Sequence, residues 1–320
     1  MMRLKGDSLV EMLECVKCRG EVRVSDDALV CKNCGEHFSF FRGLPVMLAA
    51  DNTLFPPSAY RETRPLGGAA SRKGGLGRRL KRLVPKKSVN VARERMFGRV
   101  SKEHHGHGKK ILVIGCGNQT QQLERHFGGD GTIFVFCDID KSADADVFCD
   151  SHVLPFRPGS FDGIISTAVM EHVLYPDKVV AEIERVLKDD GFVYSEIPFL
   201  QGVHEGAYDF SRFSLSGHRR LYEGFSEIET GMVAGPGTVL CWGIEAFGRS
   251  LANNRKISAA LGLLARSLFF WLKYVDFVLK DNPVALDNAS CTYFYGHKAD
   301  QRIDPAQIIA RYEGRKYSHT

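Results

Sequence analysis

Four consecutive apolar residues, Ile111-Leu112-Val113-Ile114, run directly into Gly115-Cys116-Gly117-Asn118. Such a run is a strand covered on both faces, as in a parallel sheet, and the amphipathic stretch Gln119 to Phe127 behind it reads as a helix. The Gly-x-Gly turn between them removes Cβ atoms where a ligand must approach the backbone. A second strand, Thr132 to Cys137, ends in Asp138, 21 residues after Gly117. An acid at that tip can accept hydrogen bonds from both hydroxyls of a ribose, so a nucleoside-containing ligand is expected. Asp140 has the same parity and is the alternative, with Asp138 nearer the strand end. A pyrophosphate fingerprint needs a third glycine where Thr120 stands, which disfavours a dinucleotide.

The landmarks that follow are Asp150-Ser151-His152-Val153-Leu154-Pro155-Phe156, Ser160-Phe161-Asp162-Gly163-Ile164-Ile165-Ser166 and Met170-Glu171-His172-Val173. After them come a helix from Pro176-Asp177 to Leu187, the turn Lys188-Asp189-Asp190-Gly191 and a strand from Phe192 to Ile197. In that helix Val179, Val180, Ile183, Val186 and Leu187 share one face and Lys178, Glu182, Glu184 and Arg185 the other, so it packs on a sheet. Alternating strands and helices give an α/β, doubly wound parallel sheet whose strand carboxyl ends line a crevice.

Over residues 109 to 200 these motifs together resemble the class I S-adenosylmethionine-dependent methyltransferases, in the broad type 11-like group with a "D…LPF…SFD…LEHV…RVLK.GG" pattern. The resemblance implies a Rossmann-like methyltransferase sheet and S-adenosyl-L-methionine as cofactor. It puts Gly115, Cys116 and Gly117 beside the amino-acid part of that cofactor, Asp138 at the ribose, and Asp150 with Ser151 at the adenine edge. Two positions depart from the pattern: Val113 stands where the family usually has an acid, and Gln119 where it usually has a third glycine.

Ahead of this domain lie Cys15-x2-Cys18 and, twelve residues on, Cys31-x2-Cys34. Two such knuckles supply four thiolates, the donor set of tetrahedral structural zinc, with no position left open for a substrate. The run Glu21 to Val30, turning at Ser25-Asp26-Asp27, reads as a hairpin, which completes a zinc ribbon. So short a stretch needs its metal to fold. The continuation Cys34-Gly35-Glu36-His37-Phe38 to Gly43-Leu44-Pro45-Val46-Met47-Leu48 resembles the small zinc-ribbon activator of RNA and protein methyltransferases. The other five cysteines sit mostly in apolar runs and act as small hydrophobes.

The formal net charge of +5 conceals an asymmetry, because residues 61–110 hold 16 of the 43 Lys and Arg and 3 of the 38 acidic side chains. The remainder is net acidic, so general affinity of the body for phosphate backbones is not expected. Weak periodicity, Pro56-Pro57, two Gly pairs and Arg78-Arg79-Leu80-Lys81-Arg82 make residues 51–108 a basic linker, at least partly disordered, able to meet RNA or an anionic membrane surface or to act as a solvated tether. His104-His105-Gly106-His107 within it is read as an unoccupied tether sequence. The expected division is a ribbon at 1–50, the linker, a catalytic domain at 109–300 and a tail at 301–320.

Beyond the fifth strand a loop carries His204, Glu205, Tyr208, Asp209, Phe210, Arg212 and Phe213, and forms the natural substrate lip. It is similar to the "H…YDF.RF" segment of bacterial methyltransferases of surface polysaccharide or lipid-linked glycan synthesis. Methyl transfer from a sulfonium rests chiefly on in-line positioning, with a base needed only for an acceptor that loses a proton. His204 is expected as base with Asp209 orienting it, His172 as the other candidate base, and Arg212 with Tyr208 as substrate-binding residues. The competing readings are a loop held together by its own Asp209–Arg212 ion pair and a packed His172 that closes the pocket.

Towards the end, an apolar segment around Val239 to Phe247 and the stretch Ile257 to Leu279 read either as a core extension or as an interfacial helix; Ser290 to Gly296 supplies a final strand. No opening signal sequence is recognised in Met1 to Glu14, and the 257–279 stretch is broken by charges, so a cytoplasmic protein, peripheral to a membrane at most, is expected. The expected activity is S-adenosylmethionine-dependent methylation of a hydroxyl on a glycan or lipid-linked sugar. The rivals are methylation of RNA or a translation protein through the basic linker, and a non-catalytic zinc-ribbon scaffold.

Overall fold

The computed structural model describes residues 2–3, 6–61, 86, 88–127 and 131–315. The basic run 72–85 therefore lies outside the described residues. The strands are β1 (Met2–Arg3), β2 (Val22–Ser25), β3 (Ala28–Cys31), β4 (His37–Phe41), β5 (Leu44–Met47), β6 (Lys110–Ile114), β7 (Ile133–Asp138), β8 (Val147–Cys149), β9 (Phe161–Thr167), β10 (Leu187–Pro198), β11 (Phe225–Ala234) and β12 (Cys291–Lys298). The helices used below are α1 (Arg93–His104), α2 (Thr120–Phe127), α3 (Pro176–Val186), α4 (Leu215–Leu221), α5 (Pro236–Ser250) and α6 (Arg255–Phe269).

One sheet runs in the order β11-β12-β10-β9-β6-β7-β8-β5-β4-β3-β2, with β1 paired to β7. The centre, from β10 to β8, is parallel, and β12 is antiparallel to both of its neighbours. Alternation along β6 explains its continuous hydrophobicity: Leu112 and Ile114 enter the core under α3, while Ile111 and Val113 enter the core under α1 and α2. Sequence order reverses on either side of β6, the topology that puts the ligand crevice of such a sheet beyond the carboxyl ends of β6 and β9.

Two segments differ from the expected division. The ribbon's last strand, β5, pairs in parallel with β8, so the amino-terminal module extends the catalytic sheet. Its apolar side, with Leu9, Leu13, Leu29 and Phe38, joins the core that also holds Val179 and Ile183 of α3. The second difference is α1, inside the stretch expected to be a linker. Met96, Phe97 and Val100, on one face of it, are fully buried. Charged residues on its remaining faces (Arg93, Glu94, Arg95, Arg99, Lys102) dilute the apolar signal, which is why periodicity alone did not expose it. The expected tail also packs down as far as it is described: Ile303 N–H donates to the Glu223 carbonyl (2.8 Å) and Ile308 is buried.

The apolar segments after β11 form the helical hairpin α5–α6. Asp276, fully buried, caps the start of α5 by accepting from the N–H groups of Gly235 (3.0 Å), Gly237 (2.8 Å) and Thr238 (3.0 Å) and from the Thr238 hydroxyl (2.6 Å). A carboxylate from later in the chain thereby satisfies donors that a local cap would otherwise take. No helix among the described residues is long and apolar enough to cross a membrane.

Candidate functional site

The crevice is lined by residues that end strands. Gly117 has φ +48 and open space where a Cβ would stand, so backbone is exposed there. Gly115 has φ +62, but a Cβ on it would lie 2.3 Å from Val169 Cγ2. Glycine at 115 therefore admits a neighbouring side chain from the turn after β9, which corrects the expectation that its missing Cβ makes room for a ligand. Cys116 is a second correction: it is completely buried in the core under α1 and α2, so only its backbone borders the crevice.

Asp138 ends β7 as expected. Its Oδ2 accepts from Gly117 N–H and its Oδ1 from Asp140 N–H, both at 2.8 Å. Burial raises its pKa against these backbone donors, and among the described residues no cation pairs with it. Each oxygen keeps a lone pair, so the group suits a neutral diol donor, which is what a ribose offers. Asp140 accepts from Ser142 N–H (2.8 Å) and serves the turn. Gln119, in place of a third glycine, accepts from Thr167 Oγ1 (3.0 Å) and ties the β6 turn to the end of β9.

Asp150 caps the turn Ser151–Val153, with Oδ1 accepting from His152 N–H (3.0 Å) and facing His152 Nδ1 at 2.6 Å; its Oδ2 receives Asn52 Nδ2 at 3.3 Å. Burial works to raise its pKa, and the His152 and Asn52 contacts outweigh that and lower it. Ser151 is half-buried beside it. The segment after the ribbon thus reaches the edge of the crevice, and Tyr60 extends it by donating its hydroxyl to the Ile139 carbonyl just past Asp138.

The lip folds over the turn after β9. Phe210 N–H donates to the Glu171 carbonyl at 2.7 Å, clamping the two segments. His172 and His204 face each other with Nε2 atoms 3.1 Å apart. His204 also sits over Asp209, whose Oδ2 accepts its backbone N–H (2.9 Å) and lies 3.3 Å from its Nδ1. The expected pairing of His204 with Asp209 is therefore present.

Arg212 is a different matter. Its guanidinium donates to both Asp209 oxygens, to the Gln201 carbonyl (2.9 Å) and to the Ser211 carbonyl (2.7 Å). Hydrogen bonds from Arg212 hold the Asp209 carboxyl far below its usual range. With its donors committed inside the loop, Arg212 is a structural element of the lip, which corrects its assignment to substrate. Tyr208 is half-exposed, stacks on Phe55 (6.2 Å between ring centroids) and accepts from His172 Nδ1 through its carbonyl (2.7 Å).

The residue that sequence reasoning left without a role is Glu171. It is wholly buried and neither carboxylate oxygen has a hydrogen-bond partner; burial pushes its pKa up to about 7. An acid directly before a histidine, a few residues past the end of a strand, was the available signal.

The four ribbon cysteines converge. Cys15 Sγ lies 3.7 Å from Cys34 Sγ, and Cys18 Sγ 3.5 Å from Cys31 Sγ. A tetrahedron of sulfurs around zinc at about 2.3 Å has edges of about 3.8 Å, so the donor set fits that ion. A cavity of about 350 Å³ lined by His104, Lys109, Asp162, Asp190 and His297 opens at the opposite, amino-terminal ends of β6 and β9 and is not part of the crevice. His104 in it stacks on Phe192 at 4.1 Å, as a packed histidine.

Residues 112–195 match the family described as a methyltransferase domain. Among solved structures, phosphoethanolamine N-methyltransferase 2 of Haemonchus contortus in complex with S-adenosyl-L-methionine is 18% identical, with a TM-score of 0.41, covering 65% of this chain and 53% of that one. A SAM-dependent methyltransferase from Aquifex aeolicus is 12% identical, with a TM-score of 0.39, covering 71% of this chain and 100% of that one. No curated protein matches the chain in sequence.

Proposed function

We propose that the chain, whose residues 112–195 match a methyltransferase domain, is an S-adenosylmethionine-dependent methyltransferase that methylates a hydroxyl of a glycan or lipid-linked sugar presented at a membrane surface. When bound, the cofactor supplies an electrophilic methyl group on sulfur. Asp138 holds the ribose, the Gly117 backbone borders the amino-acid part, and Asp150 with Ser151 lies toward the adenine. His204, oriented by Asp209, or its neighbour His172 takes the acceptor's proton, a step a hydroxyl requires.

The observation that carries the acceptor class is the outer face of the helical hairpin. Helix α5 leaves the carboxyl end of β11, on the same edge of the sheet as the crevice. Phe247, Leu251, Ile257, Leu264, Leu268 and Trp271 are all more than half exposed. Exposed Arg255, Lys256 and Lys280 flank them. A large apolar patch edged by cations is the pattern of a surface that lies in the headgroup region of an anionic bilayer. That supports the interfacial reading over a core extension.

The ribbon, in this proposal, holds a structural zinc ion and braces the edge of the sheet. The test is transfer of labelled methyl from S-adenosylmethionine into a fractionated cell extract. Label in the lipid-extractable, glycan-bearing fraction is the expected result. Label confined to RNA or protein would overturn the acceptor class and favour the basic segment as the docking element, and no label with intact cofactor binding would point to a scaffold.

A further inference from the structure

Glu171, His172 and His204 bring one carboxylate oxygen and two imidazole nitrogens within 4.8 Å of one another. The tautomers follow from the outer contacts. His172 Nδ1 lies 2.7 Å from the Tyr208 carbonyl, which can only accept, so that nitrogen carries hydrogen and its Nε2 is bare when the ring is neutral. His204 Nδ1 likewise faces two acceptors, Asp209 Oδ2 (3.3 Å) and the Gly202 carbonyl (3.4 Å), which favours hydrogen on Nδ1 and a bare Nε2. The two bare nitrogens stand 3.1 Å apart, with Glu171 Oε1 3.6 Å from one and 4.0 Å from the other. Three lone-pair donors thus converge without a hydrogen between them, and the carboxylate is fully buried and unpartnered.

We propose that these three side chains form a divalent-metal site with open coordination positions, distinct from the four-cysteine site. Two nitrogens bound at about 2.1 Å to one ion lie about 3.0 to 3.4 Å apart for octahedral to tetrahedral angles, which brackets the observed separation. Carbonyl and carboxylate partners on the far ring nitrogens are the usual support of metal-bound histidines. A buried acid that would be costly to ionise alone is accounted for by a cation. Ala168, three positions before Glu171, holds φ +56, backbone strain of the kind found at functional sites. Nitrogen and oxygen donors suit zinc or another first-row ion, and three protein ligands leave room for an oxygen of the acceptor, whose proton the ion would make easier to lose to solvent water; with the ion bound, both Nε2 lone pairs are ligated, so the histidines hold the metal and the role of base passes from them to that water. Only this last role rests on the hydroxyl-acceptor reading; metal binding does not.

The test counts metal on the full-length protein. Metal-free protein equilibrated with zinc should bind two equivalents. Glu171→Gln and His204→Ala should each bind one, with S-adenosylhomocysteine binding by calorimetry verifying that each variant is folded. Cys31→Ser with Cys34→Ser should lose the other equivalent. His204→Gln serves as the milder variant where the alanine protein does not fold. A wild-type protein that holds one equivalent, or folded Glu171 and His204 variants that still hold two, would overturn the site, the first outcome leaving a proton shared between the imidazoles. No acceptor and no methyl transfer enter the measurement, so it fails or succeeds independently of the acceptor assignment.

Discussion

Arg19, in the first knuckle of the ribbon, donates through Nη2 to Glu182 Oε1 of α3 at 2.9 Å. Its Nη1 reaches both Glu14 and the Leu154 carbonyl, each at 2.9 Å. Arg185 binds the same acceptors from the other side, so two guanidiniums and two carboxylates join ribbon to catalytic domain. The network places the ribbon on the α3 face of the sheet rather than at the end of a tether.

Arg19 is partly exposed and Arg185 would still neutralise the two acids, so Arg19→Ala should destabilise by only about 1 to 2 kcal/mol. Urea unfolding of the two proteins checks this. A loss above about 4 kcal/mol would mean that the knuckle does more than dock.

Metal removal should reach further. Because β5 is both the last ribbon strand and the partner of β8, chelation should loosen the sheet edge beside Asp150 as well as the knuckles. The expected result is a fall in Tm of about 5 to 10 °C together with faster amide exchange in Val147–Cys149. Exchange changes confined to residues before β5 would show that the two parts are energetically separate.

The two glycines of the β6 turn should separate in their effects. Gly117→Ala meets open space and carries mainly the cost of its backbone angle, about 1 to 2 kcal/mol, while putting a methyl group into the crevice. Gly115→Ala adds a collision with Val169 and should cost more in stability. Calorimetry with S-adenosylhomocysteine beside chemical denaturation distinguishes them; equal losses of stability would contradict the packing described. In the same assay Asp138→Ala should lose about 1 to 3 kcal/mol of cofactor affinity.

Acid should destabilise the fold through His218. This ring is fully buried between Thr292 Oγ1 (3.0 Å) and Ser195 Oγ (3.2 Å), and burial, aided by Arg219, lowers its pKa from 6.5 to about 3. The unfolded chain takes up a proton near pH 6.5 and the folded one does not. Stability is therefore full above pH 6.5 and declines as pH falls toward 3, by about 2 to 3 kcal/mol at pH 4.5. His104, lowered to about 4 by burial and by His297, acts in the same direction. Unfolding free energies across this range should show a shallower slope in His218→Gln.

The hairpin face predicts flotation with vesicles containing anionic lipid, and not with neutral ones. Replacing Phe247 and Trp271 by Ser should weaken that association by at least about 100-fold, since two rings that each contribute about 1.5 to 3 kcal/mol on burial together contribute about 3 to 6 kcal/mol. Unchanged flotation in the double variant would remove the hairpin as the contact.

What the sequence determined by itself is whatever is written within one contiguous segment. A strand, its glycine turn and an acid 21 residues on fix the central sheet and the carboxylate that ends β7, and two CxxC knuckles fix a thiolate cluster, because backbone geometry alone brings such neighbours together. Tertiary structure decided everything that depends on distant segments meeting. Val169 occupies the space beside Gly115, α1 buries an apolar face hidden among charges, Arg212 turns inward to Asp209, and β5 adds the ribbon to the sheet edge. His172 and His204 are 32 positions apart and belong to different loops, so their 3.1 Å approach, and the buried carboxylate beside them, follow only from how the lip docks on the turn after β9.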